Sequence, residues 1–149
     1  MKKVVLRAPL LSISGYGVHS RQIFRWLLTQ PVEILCQIVP WGDTSWMLNE
    51  SLEGGLIGEI MKRSASQELG FKPDLSVQVI LPNEWVPNLA QKNIGVSAWV
   101  ETDTCNPEWI RAANSMDALV VPSEFTKKVI QNTGLVNPPL FVVPESYFA

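Results

Sequence analysis

The chain has 149 residues, 46% of them apolar and 17% charged, with twelve basic against fourteen acidic side chains and a net charge of −2. That length suits one domain with a sizeable buried core and is too short for two of ordinary size. The composition excludes an intrinsically disordered chain, and with no basic excess to release counterions from a nucleic acid, no DNA or RNA partner is expected.

No run of about 18 apolar residues occurs, so no transmembrane segment is expected. The opening Met1-Lys2-Lys3 followed by Val4-Val5-Leu6 has the charge pattern of a signal peptide, but Arg7 and Pro9 break the apolar run too early, and a buried strand is the better reading. Cys36 and Cys105 lie far apart and match no metal spacing. They read as reduced thiols of a cytoplasmic protein. His19 is the single histidine, which excludes a histidine metal pair.

Lys3 to Arg7 reads as a first buried strand, stopped by Pro9. Ser12 to Gly17 is a small-residue loop, and from Val18 to Thr29 the pattern turns helical. Ile23, Phe24, Leu27 and Leu28 share one face there, Arg21 and Arg25 another, and Pro31 ends the helix. Val32 to Val39 is a second strand, followed by an irregular stretch with Trp41 and Trp46. Leu56 to Ala65 is a helix with Lys62 and Arg63 near its C-terminal end. Leu75 to Leu81 is a third strand; Pro82 and Pro87 bracket a loop carrying Trp85. Ile94 to Val100 is a fourth strand. A helix from Pro107 to Ser115 has Asn106 as its cap and Pro107 in its first turn. Ala118 to Val121 is a fifth strand. Ser123 caps a helix from Glu124 to Asn132, which Gly134 ends. Leu140 to Val143 is the last strand. Strands alternating with helices, and apolar enough to be covered on both faces, predict an α/β fold with a parallel sheet.

In an open parallel sheet, ligands bind beyond the carboxyl ends of the strands. The loops at those ends therefore hold the candidate residues. Gly15 and Gly17 permit positive φ and a close approach of ligand to backbone, and the helix that follows offers its amides and partial positive charge to a phosphate or carboxylate. A tight strand-to-helix turn that binds nothing fits these residues equally well. The spacing is not G-x-G-x-x-G, which needs glycine at Ser20, and no Gly-Lys-Ser/Thr of a P-loop follows. His19 lies at the first turn of the same helix. Glu101, Thr102 and Asp103 follow the fourth strand, where two carboxylates suit acid–base work or simply favour a helix N-terminus. Ser123 and Glu124 border the crevice, with capping the expected role of Ser123. Glu145 lies beyond the last strand. Trp41, Trp46, Trp85 and Trp99 suit a sugar-binding floor, although packing explains each one singly.

Four segments, taken together, resemble one family. They are Ser14-Gly15-Tyr16-Gly17-Val18-His19-Ser20-Arg21, Glu101-Thr102-Asp103 leading to Pro107-Glu108-Trp109-Ile110, Met116 to Thr126 with its Val-Val-Pro-Ser-Glu-Phe centre, and Val142-Val143-Pro144-Glu145. In this order they resemble the N-terminal, Rossmann-like half of GT-B glycosyltransferases of the group 1 retaining type. The resemblance implies a Rossmann-like open parallel sheet flanked by helices. It also implies transfer of a sugar from a nucleotide-sugar donor to a sugar or glycan acceptor hydroxyl, without metal or cofactor, the nucleotide sugar being a substrate. Gly15, Tyr16 and Gly17 would approach the donor diphosphate. Glu101 and Asp103 would take the catalytic positions, where relatives often place a histidine that this chain lacks. His19, Thr102, Ser123, Glu124 and Glu145 would line the acceptor side or the cleft.

Relatives usually continue after Pro144-Glu145 with glycine; here Ser146 follows. The expectation is a single Rossmann-like domain over 1–149, the acceptor-side half, which completes its donor site only with a donor-binding domain or second chain. The alternatives are a stand-alone, non-catalytic module that binds a glycan or a protein, and a small nucleotide-binding α/β protein unrelated to sugars.

Overall fold

The computed structural model describes residues 2–12, 15–39, 49, 51–65, 70–97, 107–134 and 136–143. Six parallel strands form one open sheet: β1 (Lys2–Ala8), β2 (Val32–Ile38), β3 (Leu75–Val79), β4 (Lys92–Val96), β5 (Ala118–Val121) and β6 (Leu140–Val142). Four helices accompany them: α1 (Gly15–Leu27), α2 (Leu56–Lys62), α3 (Pro107–Asn114) and α4 (Glu124–Thr133). The molecule is an α/β Rossmann-like open sheet, and all ten expected elements are present. Among the described residues no helix is long and apolar enough to cross a membrane.

The spatial order of strands is β2-β1-β3-β4-β5-β6. One further pairing extends it. Where the sequence suggests α2 running to Ala65, the helix stops at Lys62, and the next residues lie beside β2 instead. The Cys36 amide donates to the Arg63 carbonyl and the Ala65 amide to the Cys36 carbonyl, each at 2.8 Å, around a parallel bridge between Cys36 and Ser64. Counting this rudiment, the chain winds outward from β1 in one direction, then returns to the other side of β1 and winds outward in the opposite direction. That is a doubly wound sheet, with its switch point between β1 and β3.

Side-chain alternation sorts the core into two layers. Val4, Leu6, Ala8, Ile34, Cys36, Val77 and Val79 meet Phe24 and Leu27 of α1 and Leu56, Ile57 and Ile60 of α2 in one cluster. The second cluster joins Leu119 and Val121 of β5 to Ala113 of α3 and to Val129 and Ile130 of α4, together with Val39, Ile80, Trp85 and Met116. Helices thus cover opposite faces on the two sides of the switch point, as right-handed crossovers require.

β3 and β4 are joined without an α-helix. In its place, two amide side chains act as surrogate backbone. Gln78 accepts from the Val86 amide at 2.7 Å and donates to the Val86 carbonyl at 2.8 Å. Asn93 accepts from the Ala90 amide at 2.9 Å and donates to the Ala90 carbonyl at 3.0 Å. Ser76 donates to the same Asn93 oxygen at 2.7 Å. These buried polar groups are satisfied by one another, so the polar stretch holds the sheet rather than weakening it. Trp85 lies flat on the strand backbone: a Cβ on Gly95 would stand 2.6 Å from its ring.

Several boundaries differ from the sequence expectation. α1 begins at Gly15 rather than Val18 and ends at Leu27 rather than Thr29. β4 starts earlier, at Lys92, and Trp99 and Val100, expected in it, lie outside the described residues. Gly134 closes α4 with φ 179°, an extended conformation open to any residue, so no left-handed cap is involved.

Candidate functional site

Because every strand is parallel, their carboxyl ends share one edge. The segment after β1, the start of α1, the 3-10 turn Pro82–Glu84, Ser97 and the Pro122–Ser123 corner all lie along it. The glycine turn follows β1 at the switch point, where the winding direction reverses and a doubly wound sheet takes its ligands.

The turn is built differently from its expected form. Gly15 and Gly17 belong to the first helical turn, and Gly17 does not need a left-handed backbone. It is glycine for another reason: a Cβ there would fall 2.1 Å from the Ser12 carbonyl oxygen and 3.1 Å from Nη1 of Arg21. That same Nη1 donates to the Ser12 carbonyl at 2.9 Å and to the Leu10 carbonyl at 3.0 Å. Arg25 is exposed, whereas Arg21 is 5% exposed and draws two loop carbonyls inward beneath the helix. No acidic residue stands in the first turn of α1.

Tyr16 is half-buried against the core, and its Oη lies 2.9 Å from Oγ of Ser97, just beyond β4. Ser20 donates back to the Tyr16 carbonyl. His19 is half-buried, one turn into α1. Ser123 caps α4, its Oγ accepting from the Thr126 amide at 3.2 Å, and Glu124 is exposed in that first turn. The structure thus places Gly15, Tyr16, Gly17 and His19 together at the start of α1. Ser123 and Glu124 follow β5, the third strand from β1 along the same edge. Glu101, Thr102, Asp103 and Glu145 lie outside the described residues, as do Trp41, Trp46, Trp99 and Cys105. Trp85 is a core residue, 7% exposed, donating its Nε1 hydrogen to the Gln78 carbonyl at 3.1 Å; burial removes it from any sugar-binding floor.

Sequence reasoning missed a polar row near the same edge. Arg7 stands in register with Gln37 on one side and Gln78 on the other, so three polar side chains share one face across the central strands. Burial lowers the pKa of the Arg7 guanidinium, and the Glu84 carboxylate opposes that shift. The readable signal was a glutamine or arginine inside each of three β-rich runs. For Arg21 the signal was its spacing of one helical turn from Gly17; Ser97 carried none.

Cys36 is buried, and its thiol is pushed up to about 12 by desolvation, with Arg63 pulling the other way. It is therefore an inert core residue. Among the described residues, no three His, Cys, Asp or Glu side chains gather into a metal-ion set. Comparison with protein-family models, with curated proteins and with solved structures finds no match to this chain.

Proposed function

We propose that this chain is the acceptor-side half of a retaining GT-B glycosyltransferase, moving a sugar from a nucleotide-sugar donor to an acceptor hydroxyl when combined with a donor-binding domain. One observation carries the reading. Of the segments that resemble the family, Gly15–Arg21 opens the helix that follows β1, and Met116–Thr126 runs through β5 into α4 across its carboxyl end, the edge where a doubly wound sheet takes its ligands.

In this reading the Gly15–Gly17 amides and the positive end of α1 stabilise the departing diphosphate. Gly17 lets the helix seat closely on the Ser12 carbonyl, and Arg21 keeps the loop carbonyls away from the anion. Glu101 and Asp103 orient the acceptor hydroxyl and take up its proton, and Thr102, His19, Ser123, Glu124 and Glu145 line the acceptor side. The chain's contribution is mainly positioning and electrostatic stabilisation. Val18, Phe125 and Val143 stand half exposed in the first turns of α1 and α4 and beyond β6, apolar groups on the edge that a second lobe would face.

The test is a transfer assay with a panel of nucleotide sugars and glycan acceptors, run on the chain alone and with a donor-binding half supplied. Little turnover alone and sugar transfer with retained anomeric configuration in the combination are expected. Efficient turnover by the isolated chain would contradict the two-lobed reading. Glycan binding without transfer in either sample would favour the non-catalytic module.

A further inference from the structure

We infer that Tyr16 and Ser97 are a positioning pair, holding the first turn of α1 in place for the diphosphate; the inference rests on the reading above. The family resemblance assigns Tyr16 a direct contact with the diphosphate. The geometry gives its hydroxyl another partner, Oγ of Ser97 at 2.9 Å. Ser97 is 2% exposed, out of reach of a ligand in solution, and its amide is tied to the Val120 carbonyl of β5 at 3.2 Å.

The bond spans a considerable distance in the fold. α1 is the crossover from β1 to β2, and it belongs to the half of the sheet that winds away from β4. β4 lies two strand spacings from β1, about 10 Å. A tyrosine in the first turn therefore crosses the switch point and fastens the helix start to the opposite half. Arg21 fixes the loop beneath this turn, and Tyr16 fixes its lateral position. Backbone amides in a first helical turn hold an anion well only when their direction is fixed, since hydrogen bonds weaken steeply with misalignment. Ser97 also stands four residues before Glu101, so the pair joins the proposed diphosphate end to the strand that leads into the proposed catalytic segment.

The experiment is an NMR titration of the ¹⁵N-labelled chain with inorganic pyrophosphate, on wild type, Tyr16→Phe, Ser97→Ala and the double variant, with melting curves confirming that each is folded. In the wild type, the Gly15 and Gly17 amide signals are expected to move with pyrophosphate. Each single variant is expected to weaken binding by about two- to tenfold, the range of one lost hydrogen bond, and the double variant by no more than either single one. Ser97→Ala with unchanged affinity, whatever its melting temperature, overturns the positioning role. Additive losses in the double variant overturn it as well, because two residues acting through one bond cannot add. No binding by the wild type sinks the diphosphate reading itself, and this inference with it.

Discussion

Replacing Gly17 by alanine tests the construction of the turn most sharply. The new methyl would lie 2.1 Å from the Ser12 carbonyl oxygen, more than an ångström inside ordinary contact. The obstacle is backbone, so no side chain can swing aside. To open the contact, the Leu10–Ser12 segment must shift and release the Arg21 hydrogen bond to Ser12. A bond to a charged donor contributes about 1.5–3 kcal/mol, and residual overpacking costs about 1–3 kcal/mol more. Alanine returns about 1 kcal/mol through its helix propensity. The net loss is about 3 kcal/mol, a large part of the roughly 5–15 kcal/mol that holds such a domain. At about 2–4 °C per kcal/mol for this chain length, Tm should fall by about 6–12 °C in calorimetry. Gly70→Ala is the control: nothing lies within 4 Å of its Cβ, and a change within about 0.5 kcal/mol is expected. A Gly17→Ala protein that melts with or above the wild type would refute the close seating of α1 on the Ser12 carbonyl.

Three further outcomes are expected. Gly95→Ala drives a Cβ into the Trp85 ring and should cost about 1–3 kcal/mol in urea unfolding, but much less in a Trp85→Leu background, since the two share one contact; an equal cost in both backgrounds would contradict it. Ser123→Ala removes the α4 cap and should cost about 1 kcal/mol, read as a fall in Tm of about 2–4 °C. For Cys36, whose thiol titrates at about 12 when folded against 9.0 ordinarily, the unfolded chain releases its proton first. Stability contributed by the neutral thiol is therefore complete below pH 9 and declines as pH rises from there toward 12, by about 1.4 kcal/mol per unit. In a Cys105→Ser background, a thiol reagent at pH 8 should leave the native protein unlabelled and react once urea is added; rapid native labelling would contradict the burial of Cys36.

The element order was legible because apolar runs, prolines and caps mark it locally. Pro9 follows the last residue of β1, α1 ends at Leu27 ahead of Pro31, and Ser123 caps α4 through the Thr126 amide as its position suggests. Winding was less legible. The strand rudiment at Ser64 continues a helical apolar pattern, and only its pairing with Cys36 distinguishes it. At the candidate site, Gly17 stands out in the sequence, but the positive φ it permits is not used. A glycine that accommodates a carbonyl from four residues upstream of Tyr16 reads the same in sequence as one that needs a positive φ. Arg21 shares a helix face with Arg25, and nothing local announces that two carbonyls await it inside. Trp85 is separated from a sugar platform by partners its local sequence does not show, Gly95 of β4, which gives the indole its flat seat, and the Gln78 carbonyl. In consequence, a Gly17 variant cannot by itself separate loss of ligand from loss of the turn, whereas Ser97→Ala leaves the turn's own packing intact.

The most direct test of the account is a crystal structure of the chain soaked with a nucleoside diphosphate at millimolar concentration. The account predicts diphosphate oxygens on the amides of Gly15 to Gly17, in the crevice between the ends of β1 and β3. A diphosphate seated elsewhere, or a crevice that stays empty while solution titration shows no binding, would contradict it.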